Sequence, residues 1–136
     1  MGEDYGIWID QRLAILVRLD GDERGVETIE SGVERRSRLS GGARSRSPFG
    51  PQEIADEWRQ DRRRSRQRER FFLRLLDRVR RAGSIDLVGP GETKVEFRKF
   101  LRKARGAVPR LVGFGTVGKL TTPQLKALLT RRLQTH

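Results

Sequence analysis

The chain has 136 residues, no Cys, a single His and a net charge of +12. That is length enough for one domain with its own core, but it leaves no disulfide, no Cys-based metal site, no His cluster and no buried Ser-His-Asp triad. No apolar run approaches the length of a membrane span and no apolar segment follows the first Met, so a cytoplasmic protein with no membrane partner is expected. Charge is uneven along the chain: residues 1–30 are acidic on balance, whereas 31–81 and 82–136 are strongly basic. Such a basic excess favours a polyanionic partner, nucleic acid ahead of an anionic membrane.

Three strands open the chain. Tyr5 to Asp10 reads as the first, with Ile7 and Ile9 on one face and Trp8 on the other. Asp10-Gln11-Arg12 reads as a tight turn. Leu13 to Leu19 is a nearly continuous apolar run, so a central strand is expected. Asp20 to Gly25 reads as a polar turn and Val26 to Ser31 as a shorter third strand, completing an antiparallel meander. Residues 31–50 then carry no periodicity. A loop of that length in a compact domain is usually functional or disordered, and this one holds Arg35, Arg36, Arg38, Gly41, Gly42, Arg44 and Arg46, so 31–51 is expected to be a flexible basic loop.

Pro51 suits the first position of a helix, and Glu53, Asp56 and Glu57 suit the positive end of its dipole. The helix is expected to run from Gln52 to about Ala82, with Ile54, Ala55 and Trp58 making a small apolar contact in its first turns. Between Arg59 and Arg70 stand seven Arg and no apolar residue; with only Asp61 and Glu69 among them, most are expected to have no acidic partner. Phe72, Leu75, Leu76 and Val79 follow at helical spacing and must face a core. The C-terminal half should therefore pack on the sheet and the N-terminal half should project. Further on, Ser84 to Val88 reads as a strand, Glu92 to Arg105 as a helix and Arg110 to Gly115 as a strand. The last helix opens at Thr121, where Thr121 and Gln124 have capping-box spacing. The order β-β-β-α-β-α-β-α is a meander followed by two right-handed crossovers onto parallel strands. That is an α/β fold with a ribonuclease H-like mixed sheet and a long protruding basic helix, in a single domain over residues 1–136.

Two chemical motifs weigh little. Gly89-Pro-Gly-Glu-Thr-Lys lies between a strand and a helix but lacks the glycine spacing and Gly-Lys-Ser/Thr ending of a nucleotide loop, so it reads as a tight turn. Asp10, Glu27, Glu30 and Asp86 are the acids available on strands, and they lack the interior pairing that two-metal nuclease chemistry requires. Neither a cofactor nor a metal is expected.

The order of elements, with Gly41-Gly-Ala-Arg-Ser-Arg-Ser47, the basic helix and Ile85-Asp-Leu-Val-Gly-Pro-Gly-Glu-Thr-Lys-Val-Glu-Phe97, resembles the middle domain of archaeal and eukaryotic class I release factors. Trp8-Ile9-Asp10, Glu27 to Ser31, Leu39-Ser-Gly-Gly42 and Gly50-Pro-Gln52 are similar to the small bacterial proteins called translational machinery proteins. The resemblance spans about Gly6 to Leu133. It implies a Gly-Gly-Gln loop that enters the peptidyl transferase centre, where the Gln orients water for peptidyl-tRNA hydrolysis. Gly41 and Gly42 match the two glycines, Arg44 and Arg46 fall near the basic residues that follow, and Ala43 stands where the Gln is expected. Gln52, after Gly50-Pro51, is the one weak catalytic candidate.

The expected function is that of a translation-associated factor in rescue, hibernation or a release-factor-like role. It would bind the ribosome, rRNA or tRNA through phosphate contacts from the loop and the helix. The site residues are Arg35, Arg36, Arg38, Gly41, Gly42, Arg44, Arg46, Arg59, Arg62, Arg63, Arg64, Arg66 and Arg70. Arg suits this task because its planar fork fits phosphate bidentately. A peptidyl-tRNA hydrolase acting through the Gly-rich loop and a protein-interaction module remain the alternatives.

Overall fold

The computed structural model describes residues 2–35 and 51–136. Five strands and three helices follow in the expected order: β1 (Asp4–Ile9), β2 (Leu13–Asp20), β3 (Glu23–Glu30), α1 (Pro51–Val79), β4 (Ser84–Gly89), α2 (Thr93–Lys103), β5 (Arg110–Thr116) and α3 (Thr122–Gln134). The strands form one mixed sheet in the order β3-β2-β1-β4-β5. β1 is antiparallel to β2 and parallel to β4, β2 is antiparallel to β3, and β4 is parallel to β5. This is the mixed α/β sheet expected of the ribonuclease H-like order.

Both faces of the sheet are covered, which explains the near-continuous apolar run of β2. Ile7, Ile9, Leu16, Ile85 and Leu87 face a core shared with Phe71, Phe72, Leu75, Leu76 and Val79 of α1 and with Phe97 and Leu101 of α2. Trp8, Ile15, Val17 and Val88 face the opposite way, against Leu125 and Leu129 of α3. The period-two alternation of a strand therefore sorts neighbouring apolar residues into two separate cores. Burying that much apolar surface is the main favourable contribution to folding.

Some boundaries differ from the sequence reading. The polar turn after β2 shrinks to Gly21 and Asp22, because Asp20 pairs directly with Glu23 and Gly21 supplies a positive φ of 63°. Glu23, Arg24 and Gly25 thereby join β3. α1 stops at Val79, three residues short of Ala82, where Ala82 N–H donates to the Val79 carbonyl and closes the last turn. At α3 the capping box forms as expected: Gln124 N–H donates to Thr121 Oγ1, and Thr121 N–H donates to Gln124 Oε1.

The meander ends in a pinned segment. Ser31 is buried; its N–H donates to the Arg12 carbonyl, and its Oγ donates to the Gln11 carbonyl and accepts from Val33 N–H. Glu34 N–H donates to Gln67 Oε1 of α1. The first residues of the expected loop are thus stitched to the sheet and to α1. Residues 36–50 lie outside the described residues.

Candidate nucleic-acid interface

α1 positions most of the expected site. Its buried residues Phe71, Phe72, Leu75, Leu76 and Val79 fix which side of the helix faces inward. At roughly 100° per residue, Arg59, Arg62, Arg63, Arg66 and Arg70 fall within an arc of about 100° on the opposite side. Arg64 and Arg68 project on the inward side, and their side chains are accordingly half-buried. The helix thus divides its arginines into an outer face of five and an inner pair.

Four of the seven arginines between Arg59 and Arg70 have acidic partners, where the sequence reading expected most to have none. Arg59 Nη1 lies 2.7 Å from Asp56 and Arg64 Nη1 3.2 Å from Asp61 on the same helix. Arg63 Nε lies 2.6 Å from Glu34, and Arg68 Nη1 3.7 Å from Glu96 on α2. The expectation failed because three of these acids, Glu34, Asp56 and Glu96, lie outside the Arg59–Arg70 window and reach it through the fold or the preceding turn. All four pairs are partly or largely solvent-exposed and bind their arginines weakly. Among the described residues Arg62, Arg66 and Arg70 have no ion-pair partner, so their guanidinium groups face solvent.

Of the other expected site residues, Arg35 is exposed at the end of the pinned segment. Arg36, Arg38, Gly41, Gly42, Arg44 and Arg46 lie outside the described residues, as does Ala43. Gln52 lies in the first turn of α1. Ile54 and Trp58 do not make the apolar contact expected of them: they are 50% and 63% exposed.

Sequence reasoning missed two arginines that converge on Arg35 and Arg64. Arg12, in the β1–β2 turn, and Arg68, on the inward side of α1, share with them a cleft of about 360 Å³. The Nε–H of Arg64 is buried and without a hydrogen-bond partner among the described residues. Helical phase was the available signal for Arg68, since it falls on the inward side with Phe72 and Leu75. No local pattern brings Arg12 to this place.

Three of the four strand acids are engaged by protein groups through their carboxylates, whereas Glu30 is exposed and only its backbone carbonyl accepts, from Arg74 Nη2. Asp10 Oδ1 accepts from the N–H groups of Arg12 and Leu13, which makes the β1–β2 turn. Glu27 accepts both Nε and Nη2 of Arg78, at 3.1 and 2.6 Å, and that hydrogen bond raises the Arg78 pKa above its ordinary value. Asp86 is fully buried and accepts two hydrogen bonds from Arg132. No group of three potential metal ligands occurs among the described residues. In the β4–α2 turn, the Nζ of buried Lys94 donates to the carbonyls of Gly89 and Gly91, at 2.9 and 2.7 Å. The lysine is spent on closing the turn rather than presented to an anion, in line with the reading of that motif.

No protein-family model matches the sequence, and no curated protein matches it. Solved structures do. Over 100% of this chain and 33% of the other, it superposes on the Pelota protein of Thermoplasma acidophilum with a TM-score of 0.53 at 14% identity. The chain shares its fold with part of Pelota. It spans about a third of Pelota's length. The archaeal translation termination factor aRF1 is also similar, with a TM-score of 0.48 and 14% identity over 98% of this chain and 39% of that one. The fold likeness to Pelota agrees with the mixed α/β order that the sequence predicts. Among the described residues no helix is long and apolar enough to cross a membrane.

Proposed function

We propose that the protein is an RNA-binding, translation-associated factor that docks on rRNA or tRNA phosphates of the ribosome through the outer face of α1 and the basic segment that begins at Arg35. The one-sided arginine face carries this reading. Five guanidinium groups share one exposed side of a helix whose other side is anchored in the core, so the charges are held out from the domain. A helix whose arginines were only solvated would need no such sorting, and it would pair them more fully. The assignment to translation rests on the fold shared with Pelota and on the sequence segments that resemble release-factor middle domains. Ala43 at the expected Gln position favours occupying a site over hydrolysis within it.

Phosphate contacts release counterions, so log affinity falls linearly with log salt, with a slope close to one per contact. Six contacts would lose about 10³ in affinity between 50 and 200 mM salt. Co-sedimentation with ribosomes across that salt range tests the proposal, and binding that ignores salt would refute it.

A further inference from the structure

A second cationic site lies behind the outer arginine face. The cleft of about 360 Å³ is lined by Arg12, Arg35, Arg64 and Arg68, with Val33 and Thr93 among the other lining residues. It lies outside the carboxyl ends of two adjacent parallel strands: Arg12 follows β1, and Thr93 follows β4. In open α/β sheets that is where ligands bind. One acid, Glu34, also lines it, and its carboxylate is already taken by Arg63 Nε and Gln67 Nε2, at 2.6 and 3.4 Å. Arg64 and Arg68 each give one guanidinium nitrogen to an acid outside the cleft, Asp61 and Glu96. Arg12 and Arg35 have no ion-pair partner among the described residues.

The buried Nε–H of Arg64 has no acceptor there either. An orphaned donor on a cationic side chain is costly and calls for a partner. Four guanidinium groups around one cleft call for an anion with several acceptor oxygens, small enough to enter between them. Phosphate meets that description, and Arg binds it through paired donors. The volume also admits more than a bare anion, since ligand pockets of this size hold small organic molecules.

We propose that this cleft is a nucleotide-phosphate site, in which the guanidinium groups of Arg12, Arg35, Arg64 and Arg68 hold the phosphate. The site is distinct from the five outer arginines of α1, although Arg35 also begins the basic segment of the proposed interface. The phosphate can come from a free mononucleotide or from an RNA chain, and the chemistry that recognises it is the same.

The test follows the Arg64 Nε–Hε resonance by NMR while the full chain is titrated with 5′-AMP, with a short single-stranded oligoribonucleotide, or with sodium chloride at matched ionic strength. Saturable shifts with 5′-AMP or the oligonucleotide, absent with chloride, are expected. Arg12→Ala and Arg35→Ala, both exposed and harmless to folding, should each weaken binding by about five-fold or more, while Lys126→Ala on α3 should not. A shift at lower concentration with the oligonucleotide assigns the phosphate to RNA, and the reverse assigns it to a free nucleotide. Absence of a saturable shift, an equal shift with chloride, or indifference to both arginine substitutions would overturn the proposal. Ribosome binding lost through the outer face with this shift retained would separate the two sites.

Discussion

Arg132 of α3 donates through Nε and Nη2 to the two carboxylate oxygens of Asp86, at 2.7 and 2.9 Å, and Asp86 is fully buried. The pair ties α3 to the middle of the sheet. Its space is made by glycine on both sides: in the register Gly6 lies opposite Asp86 on β1 and Gly113 on β5. A Cβ at Gly113 would stand 2.5 Å from Asp86 Oδ1. The pairing raises the Arg132 pKa, chiefly through the hydrogen bond to Asp86.

Removing Arg132 leaves the fully buried Asp86 carboxylate with only His136 Nε2 beside it, at 3.4 Å, a loss of about 3 kcal/mol or more. Arg132→Met should lower the denaturant midpoint by that measure. Asp86→Asn combined with Arg132→Met should recover part of it, because the uncompensated charge is then gone. A single Arg132 variant as stable as the parent would show that the pair contributes nothing net.

The approach of α3 to the sheet depends on Gly6. A Cβ there would lie 2.8 Å from the Leu129 Cβ. Gly6→Ala should force α3 outward and cost about 1–3 kcal/mol, as overpacking does. Thermal unfolding measures it, and an unchanged midpoint would mean that the helix moves freely.

The two tryptophans should behave oppositely. Trp8 is buried, and its Nε1–H donates to the carbonyls of Val117 and Gly118 at 3.0 and 3.1 Å. Trp8→Ala should cost about 3–5 kcal/mol. Trp58→Ala, at an exposed position, should stay within about 0.5 kcal/mol of the parent. Denaturant unfolding compares them, and equal losses would contradict the placement of Trp58.

Tyr5, the only tyrosine, has its pKa raised above the usual value, first by burial and next by the nearby Glu3 carboxylate. A raised folded-state value means that the unfolded chain ionises first. The contribution to stability is therefore complete below the ordinary tyrosine value of about 10 and is lost as pH rises through the folded value. Phenolate absorbance should titrate higher in the native protein than in denaturant. Coincident curves would remove the effect.

On the outer face of α1, replacing Arg62, Arg66 and Arg70 by Gln should leave folding intact and reduce the salt slope of RNA binding by about two to three units. An unchanged slope would take the helix out of the interface. For hydrolysis, release of peptide from ribosome-bound peptidyl-tRNA that is lost on Gln52→Ala would replace the binding reading with an enzymatic one.

Much of the fold was legible because it is written in local periodicity. The alternation around Trp8, the helical stripe Phe72, Leu75, Leu76 and Val79, and the Thr121–Gln124 cap each depend on residues a few positions apart. The arginine face was legible in composition, and helical phase from the Phe72–Val79 stripe also carried its orientation. Which of Arg59 to Arg70 turn outward depends on the phase set by Phe71 and Leu75 against the core. The partners of Arg63 and Arg68 were illegible, because Glu34 and Glu96 reach them only across the tertiary fold.

By itself, then, the sequence determined the element order, the two-faced sheet and a long helix dense in arginine, since these follow from spacing, propensity and charge along the chain. Only the tertiary structure decided which arginines are free, which are paired, and that Arg12, Arg35, Arg64 and Arg68 meet in one cleft. Such convergence depends on where the β1–β2 turn, the end of β3 and α1 come to lie beside one another, and long-range packing rather than local pattern sets that.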